Sequence, residues 1–206
     1  MAIQHKSKPK WSIYDDDGNR KYLTAEERAS FFKSITPALP DAKGRTKRTF
    51  ALLLYYTGCR ISEGLSVTAK SIDYSRRGVT FKTGKQRGGK IKYRFVPLPD
   101  RFLEKLDDVH HIKDMVKKTP DEKLWSFGRT TGWSAIKSVM AHAGIEGAQA
   151  VPHGLRHGFV IAHQQIKTPP NLIKEWAGWA TTEMLECYGR AMGAEERNLA
   201  GGIWEQ

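Results

Sequence analysis

Five side chains in three short stretches carry the chemistry this sequence could perform. Arg60 lies in Thr57-Gly58-Cys59-Arg60-Ile61-Ser62-Glu63, and His153 and Arg156 lie in His153-Gly154-Leu155-Arg156-His157. Trp179 follows in Ala177-Gly178-Trp179, and Tyr188 comes nine residues later. The arginines can fork onto phosphate oxygens. The indole offers an N–H donor without acid–base capacity, and the tyrosine can become a covalent nucleophile. Together they make a kit for attacking a phosphodiester without a metal. His153 and Arg156 are three residues apart and share one face of a helix. Arg60 follows an apolar stretch and needs a partner there, which Glu63, three residues on, could supply while other donors face a phosphate. His153 and His157 also have the i, i+4 spacing of a metal pair, but the adjacent Glu of the zinc-protease pattern and a further ligand cluster are both missing. We therefore expect no metal.

The charge agrees with a polyanionic partner. The chain has 206 residues, 39% of them hydrophobic, and a net charge of +12. Between Lys43 and Arg94 stand fourteen Lys and Arg against two acids, Glu63 and Asp73, an excess equal to the whole net charge. These cations are interleaved with strand-like sequence, which suits a phosphate-binding surface better than a solvated tail. Lys43, Arg45, Lys47, Arg48, Lys85, Arg87 and Lys90 are the candidate DNA contacts. Cys59 and Cys187 form neither a disulfide framework nor a zinc pattern and read as small packing residues. With no signal peptide and no apolar run of the roughly 20 residues that a membrane helix needs, an intracellular, reducing compartment is expected.

The elements that must position these groups follow from pattern. Residues 1–20 are polar and basic and read as an arm with little core of its own. Thr24 with Glu27 is a helix start, with Phe31 and Phe32 at core spacing. Thr46–Tyr56 reads as a buried helix that stops at Gly58. A short helix, Ser62–Leu65, leads into strand-like Ser71–Asp73, Gly78–Lys82 and Lys90–Val96, a small antiparallel sheet with a glycine-rich turn at 83–89. Asp100–Leu106 resumes helix, and the charged stretch 107–127 holds one more. Helices are expected at Thr131–Ala143, at His153–Gln165, from Pro170 to Trp176, and in a short piece carrying Tyr188. A final helix over 194–206 ends in Ile203-Trp204. The fold class is α+β, mainly helical, with a three-stranded antiparallel sheet.

In combination these stretches resemble the tyrosine recombinases, or phage-type integrases. The resemblance runs from Tyr22-Leu23-Thr24 to Tyr188 and rests on Thr-Gly-x-Arg-x-Ser-Glu at 57–63, His-x-x-Arg-His at 153–157, and a small-Gly-His/Trp step before the tyrosine. Trp179 stands 23 residues after Arg156, and Tyr188 nine after Trp179, intervals similar to the family's. Two departures are Trp179, where most members carry His, and Gly154, which we read as neutral. The resemblance implies a catalytic domain over 21–193, preceded by the basic arm 1–20 and followed by the C-terminal helix 194–206. That last helix either exchanges between protomers or folds back on its own domain. The chain looks like the small single-domain members that lack a separate N-terminal clamp domain.

What the resemblance implies about function is site-specific cleavage and rejoining of DNA through a 3′-phosphotyrosine. Tyr188 would be the nucleophile, Arg60 and Arg156 the phosphate clamps, His153 a proton-transfer aid, Trp179 a positioning donor, and Glu63 and His157 supporting residues. The family's catalytic lysine sits on a strand or turn of the small sheet. Lys82, before Thr83-Gly84, matches it best, and Lys85 is the runner-up. No cofactor is implied. The implied partners are double-stranded DNA, three further protomers in a tetramer on paired sites, and an accessory DNA-binding protein, with no membrane role. The implied location is cytoplasmic and nucleoid-associated. The competing reading is a DNA-binding regulator that keeps the fold and has lost strand exchange.

Overall fold

A computed structural model describes residues 12–83, 92–182, 185, 186 and 188. Its order is α1 (Ala25–Ala38), α2 (Gly44–Thr57), α3 (Ile61–Gly64), a 3-10 turn (Ala69–Ser71), β1 (Ile72–Asp73), β2 (Gly78–Thr83) and β3 (Lys92–Pro97). There follow α4 (Asp100–His110), α5 (Ile112–Lys118), α6 (Arg129–His142), α7 (Pro152–Gln165) and α8 (Pro170–Ala177). The strands form one antiparallel sheet in the order β1-β2-β3. No described helix is long and apolar enough to cross a membrane.

α1 begins as its sequence predicts. Thr24 accepts a hydrogen bond from the Glu27 backbone N–H at 3.2 Å, and Glu27 accepts from the Thr24 backbone at 3.0 Å, a reciprocal cap. α2 is the central helix, with Phe50, Leu53 and Leu54 fully enclosed. It stops at Gly58, whose backbone is left-handed (φ 56°), a conformation that favours glycine. A side chain there would also strike the Phe159 ring at 2.6 Å. In the sheet Val79 pairs with Val96, Phe81 with Arg94 and Lys82 with Tyr93. Opposed residues share a face, so Phe81 and Arg94 lie together in the interior while Lys82 and Tyr93 face outward.

Two apolar clusters result. The larger gathers Phe31, Phe50, Phe102, Leu106, Ile136 and Leu155 from α1, α2, α4, α6 and α7. Trp125, from the weakly patterned stretch after α4, is also enclosed there. It donates to Thr46 O at 3.0 Å and Thr49 Oγ1 at 3.1 Å. The smaller cluster joins Ile13 to Phe159, Val160 and Ile161 of α7, Ile173 and Ala177 of α8, and Leu185 and Tyr188.

Within the described part of the arm, residues 12–20, Ile13 packs into the core of the domain, and the arm keeps little core of its own. Ile13 is buried, and Tyr14 and Arg20 bridge in antiparallel fashion. The Asp15 carboxylate closes the turn between them by accepting from the backbone N–H groups of Asp17 (3.0 Å) and Asn19 (2.7 Å). Ile13 belongs to a run, Trp11 to Tyr14, that is too short to show a period before the acidic turn, so pattern reading passes over it. Gly154 is also more than neutral, since a Cβ there would lie 1.9 Å from the Gln149 carbonyl oxygen.

Candidate active site

The site forms where helix ends converge. The last carbonyls of an α-helix have no partner within the helix and carry partial negative charge, so they attract cations. Arg156, on the first turns of α7, donates from Nη1 to Gly58 O, at the end of α2, at 2.7 Å. From Nη2 it donates to Ala177 O, at the end of α8. These two bonds fix the guanidinium plane at a junction of three helices. The side chain is 4% exposed, and burial, with the charge of Arg60 second, pushes its pKa down to about 10, still charged at neutral pH.

Arg60 begins α3 with an extended backbone. Its N–H donates to Glu63 Oε2 at 2.8 Å and its Nη1 to Glu63 Oε1 at 3.1 Å, as the three-residue spacing predicts. Its side chain is 38% exposed, which leaves it open to a ligand. Glu63 is buried, and its main partner is one that sequence reading missed. Arg94 donates to both Glu63 oxygens, at 3.0 and 2.8 Å, and from Nε to Trp176 O at 2.9 Å. Burial raises the Glu63 carboxyl, but the hydrogen bonds and charge of Arg94, then those of Arg60, outweigh it and hold the pKa below the ordinary value. Arg94 was hidden among fourteen cations. The signal that could have found it is its inward register opposite Phe81, because a buried arginine demands an acid.

The tyrosine side is built on α7 and the segment after α8. Tyr188 is 1% exposed, and its hydroxyl hydrogen-bonds His157 Nδ1. Its ring stacks on Trp179, with centroids 5.5 Å apart at 27°. Trp179 in turn lies with its ring centroid 5.9 Å from the Arg156 guanidinium carbon, which links the tyrosine to Arg156. His153 and His157 meet edge to face at 5.8 Å. Desolvation in the cleft, then the charges of Arg156, Arg60, Arg129 and Lys21, lower the pKa of His153, whose surface is nevertheless open to solvent. Burial first, then His153, Arg156 and Lys21, push His157 down to about 3. Cys59 is buried with its thiol pushed up to about 11 by burial, in keeping with a packing role.

Seven of the expected residues are therefore gathered in one place, Arg60, Glu63, His153, Arg156, His157, Trp179 and Tyr188, and Arg94 joins them. Lys82 is not brought to the arginines. It is exposed on the sheet face opposite Arg94. Lys85, Arg87, Lys90, Cys187 and the 194–206 segment lie outside the described residues. Lys43 and Arg45 are exposed at the start of α2, and Lys47 is half-buried. At about 1.5 Å per residue, that end of the helix is roughly 20 Å from Arg60. Arg48 has another use, since its Nη1 donates to Leu39 O at the end of α1.

The comparisons with known proteins bear on family and fold. The model of the phage integrase family matches residues 21–194. The chain belongs to that family. Among curated relatives, tyrosine recombinase XerA of Pyrococcus furiosus is 29% identical over 181 residues, covering 82% of this chain and 57% of the relative. Tyrosine recombinase XerD of Mycobacterium leprae is 28% identical over 182 residues, covering 82% and 56%. The chain thus spans little more than half the length of these relatives. Among solved structures, the XerH site-specific recombinase in a post-cleavage complex with palindromic difH substrate superposes with a TM-score of 0.73 at 21% identity, over 100% of this chain and 60% of that one. The catalytic domain of bacteriophage HP1 integrase gives 0.57 at 22% identity, over 85% and 92%. At such identities these likenesses establish the fold: a tyrosine recombinase catalytic domain.

Proposed function

We propose that this chain is a site-specific recombinase that cleaves and rejoins double-stranded DNA through a 3′-phosphotyrosine. The observation that supports the reading is two sets of contacts, Glu63 with Arg60 and Arg156 through Trp179 to Tyr188, which bring a tyrosine near two cations close enough for the Arg60 charge to act on Arg156. Binding alone would not require a tyrosine joined to an arginine clamp in this way. The named relatives are tyrosine recombinases, and the XerH neighbour was solved on DNA, which supports duplex DNA as the substrate.

In the step proposed, the Tyr188 oxygen bonds to the scissile phosphorus as the bond to the 5′-oxygen breaks. The phenolic proton leaves, and a proton reaches the departing 5′-hydroxyl, so the proton count is unchanged. Arg60 and Arg156 neutralise the non-bridging oxygens as charge grows on them. A guanidinium has five N–H donors, so the two bonds that anchor Arg156 leave others for phosphate. Trp179 contributes its N–H, and His153 assists proton transfer. Lys82 supplies the proton to the leaving oxygen, with Lys85 the alternative. The phosphodiester energy is kept in the phosphotyrosine, so rejoining by a 5′-hydroxyl from another duplex needs no ATP. Exchange between two duplexes uses four protomers. Lys43, Arg45 and Lys47 extend the phosphate contacts, an accessory DNA-binding protein completes the grip, and the protein works on DNA in the cytoplasm. The 194–206 segment is assigned to exchange between protomers, and its deletion should weaken assembly on DNA.

The test is incubation with labelled duplex fragments from the chain's own genetic neighbourhood, followed by a denaturing gel. A protease-sensitive slow band from the wild type, absent from Tyr188→Phe, is expected. Equal bands from both would remove Tyr188 from the chemistry. No band beside sequence-specific binding on a native gel would favour the regulator reading.

A further inference from the structure

Tyr188 follows α8 on a short segment whose described backbone bond is Leu185 N–H to Thr182 O. Such a segment does not by itself fix a phenol within the half-ångström that in-line attack needs. What fixes the ring is side-chain contact. Trp179 covers one face, and the hydroxyl is engaged by His157 Nδ1. His157 directly follows Arg156 on α7, so the group that touches the nucleophile and the group that clamps the phosphate ride on one rigid helix. His153, the histidine already given a role, faces solvent on the other side of His157.

We infer that His157 positions the nucleophile: its Nδ1 accepts the Tyr188 hydroxyl hydrogen and so turns a lone pair of the phenolic oxygen toward the phosphate site. The inference rests on the reading of Tyr188 as the nucleophile. A phenol attacks through a lone pair, and an O–H pointing at phosphorus would block it. An acceptor on the far side of the oxygen settles that orientation before DNA arrives. The role requires an imidazole that is neutral and unprotonated at Nδ1. The site provides the neutrality, because burial and the charges of His153, Arg156 and Lys21 disfavour the imidazolium, and the inferred tautomer places the ring proton on Nε2. His157 is therefore a holder of the hydroxyl over the whole neutral range.

The test uses two variants and two readouts. His157→Phe keeps a ring without an acceptor, and His157→Asn keeps an acceptor near the Nδ1 position. On the duplex that gives the tyrosine-dependent band, His157→Phe should form covalent product at least tenfold more slowly, with native-gel affinity within twofold of wild type. His157→Asn should recover to within threefold. A wild-type rate in His157→Phe overturns the inference, because the ring then only packs, and so does a His157→Asn as slow as His157→Phe, because an acceptor at that position then restores nothing. The second readout needs no DNA. In ¹⁵N-histidine NMR spectra of the free protein, Tyr188→Phe should move the His157 Nδ1 resonance away from its hydrogen-bonded position, and an unmoved resonance overturns the inference. If the wild type forms no covalent product on any duplex, the recombinase reading fails, and the resonance still reports whether His157 holds the hydroxyl.

Discussion

The two sides of the cleft are held by different forces. On the arginine side, Glu63, Arg94 and Arg156 are nearly sealed from water and bonded to one another or to helix-end carbonyls. Moving any of them breaks several charge-assisted bonds at once. On the tyrosine side, the second apolar cluster, the ring contacts of Tyr188 with Trp179 and His157, and its hydrogen bond to His157 contribute to the holding. The contrast matches the two tasks. In the proposed reaction, the site for phosphate charge gains most from being rigid before substrate arrives, whereas the proposed nucleophile must be able to leave its place and carry a DNA strand on its oxygen.

The largest effect should come from breaking the arginine side. Arg94→Met leaves Glu63 buried with only the half-exposed Arg60, and removing one partner of a buried pair typically costs about 3 kcal/mol or more. Denaturant unfolding of Arg94→Met measures this. A loss under about 1 kcal/mol would mean that Glu63 finds water and that the network is less closed than its geometry implies. Next in size is the tyrosine side. Ile13→Ala opens a cavity in the small cluster and should cost about 2 kcal/mol. It should also slow covalent trapping more than the Arg94→Met loss of stability would suggest, because Ile13 packs in the cluster that holds Tyr188.

Those two residues also mark where reading from sequence alone ends. The elements with strong periodicity or explicit caps, such as α1 behind Thr24 and α2 before Gly58, were legible to within a residue or two. So were the groups of the cleft, because their residue types fit one reaction in combination. Arg94 and Ile13 were not. Whether a cation is spent inside the fold depends on strand register, and whether a short apolar run beside a polar turn is buried depends on what the chain folds back against. Both are tertiary facts. Trp125 is a third case, with its indole enclosed beneath α2 although its neighbours carry no pattern.

Acid sharpens the comparison further, because each side has its own titrating group. The folded-state pKa of His157 is about 3 against an ordinary 6.5. Between these values the unfolded chain holds a proton that the folded protein excludes, so stability falls as pH drops from about 6.5 toward 3. The pKa of Glu63 is below its ordinary 4.5. Its contribution is complete above that value and is lost as pH falls below it. The tyrosine side therefore weakens first on acidification. His110, pushed down to about 4 mainly by burial, adds to the same upper window. The variant His157→Phe separates them. Its unfolding free energy should fall less steeply than wild type between pH 6.5 and 5, where each excluded proton contributes up to about 1.4 kcal/mol per pH unit. Equal slopes would show that His157 takes up its proton without disturbing the fold.

The smallest effect on the fold concerns the proposed proton donor, which belongs to neither side. Lys82 is exposed on the outer face of β2, opposite Tyr93, and braces nothing that is buried. Lys82→Ala should leave the unfolding midpoint within error, since truncating an exposed side chain removes little buried surface. Its effect should appear only in chemistry, as slower cleavage than Lys85→Ala at equal DNA affinity. A bridging 5′-sulfur in the scissile phosphate makes the leaving group good without protonation, so that substrate should restore the slower variant and leave Arg60→Ala slow. If Lys85→Ala is the slower of the two and the one rescued, the donor belongs to the turn. The outward face of β2 then explains why, since alternation carries Lys82 away from the face where Arg94 meets Glu63.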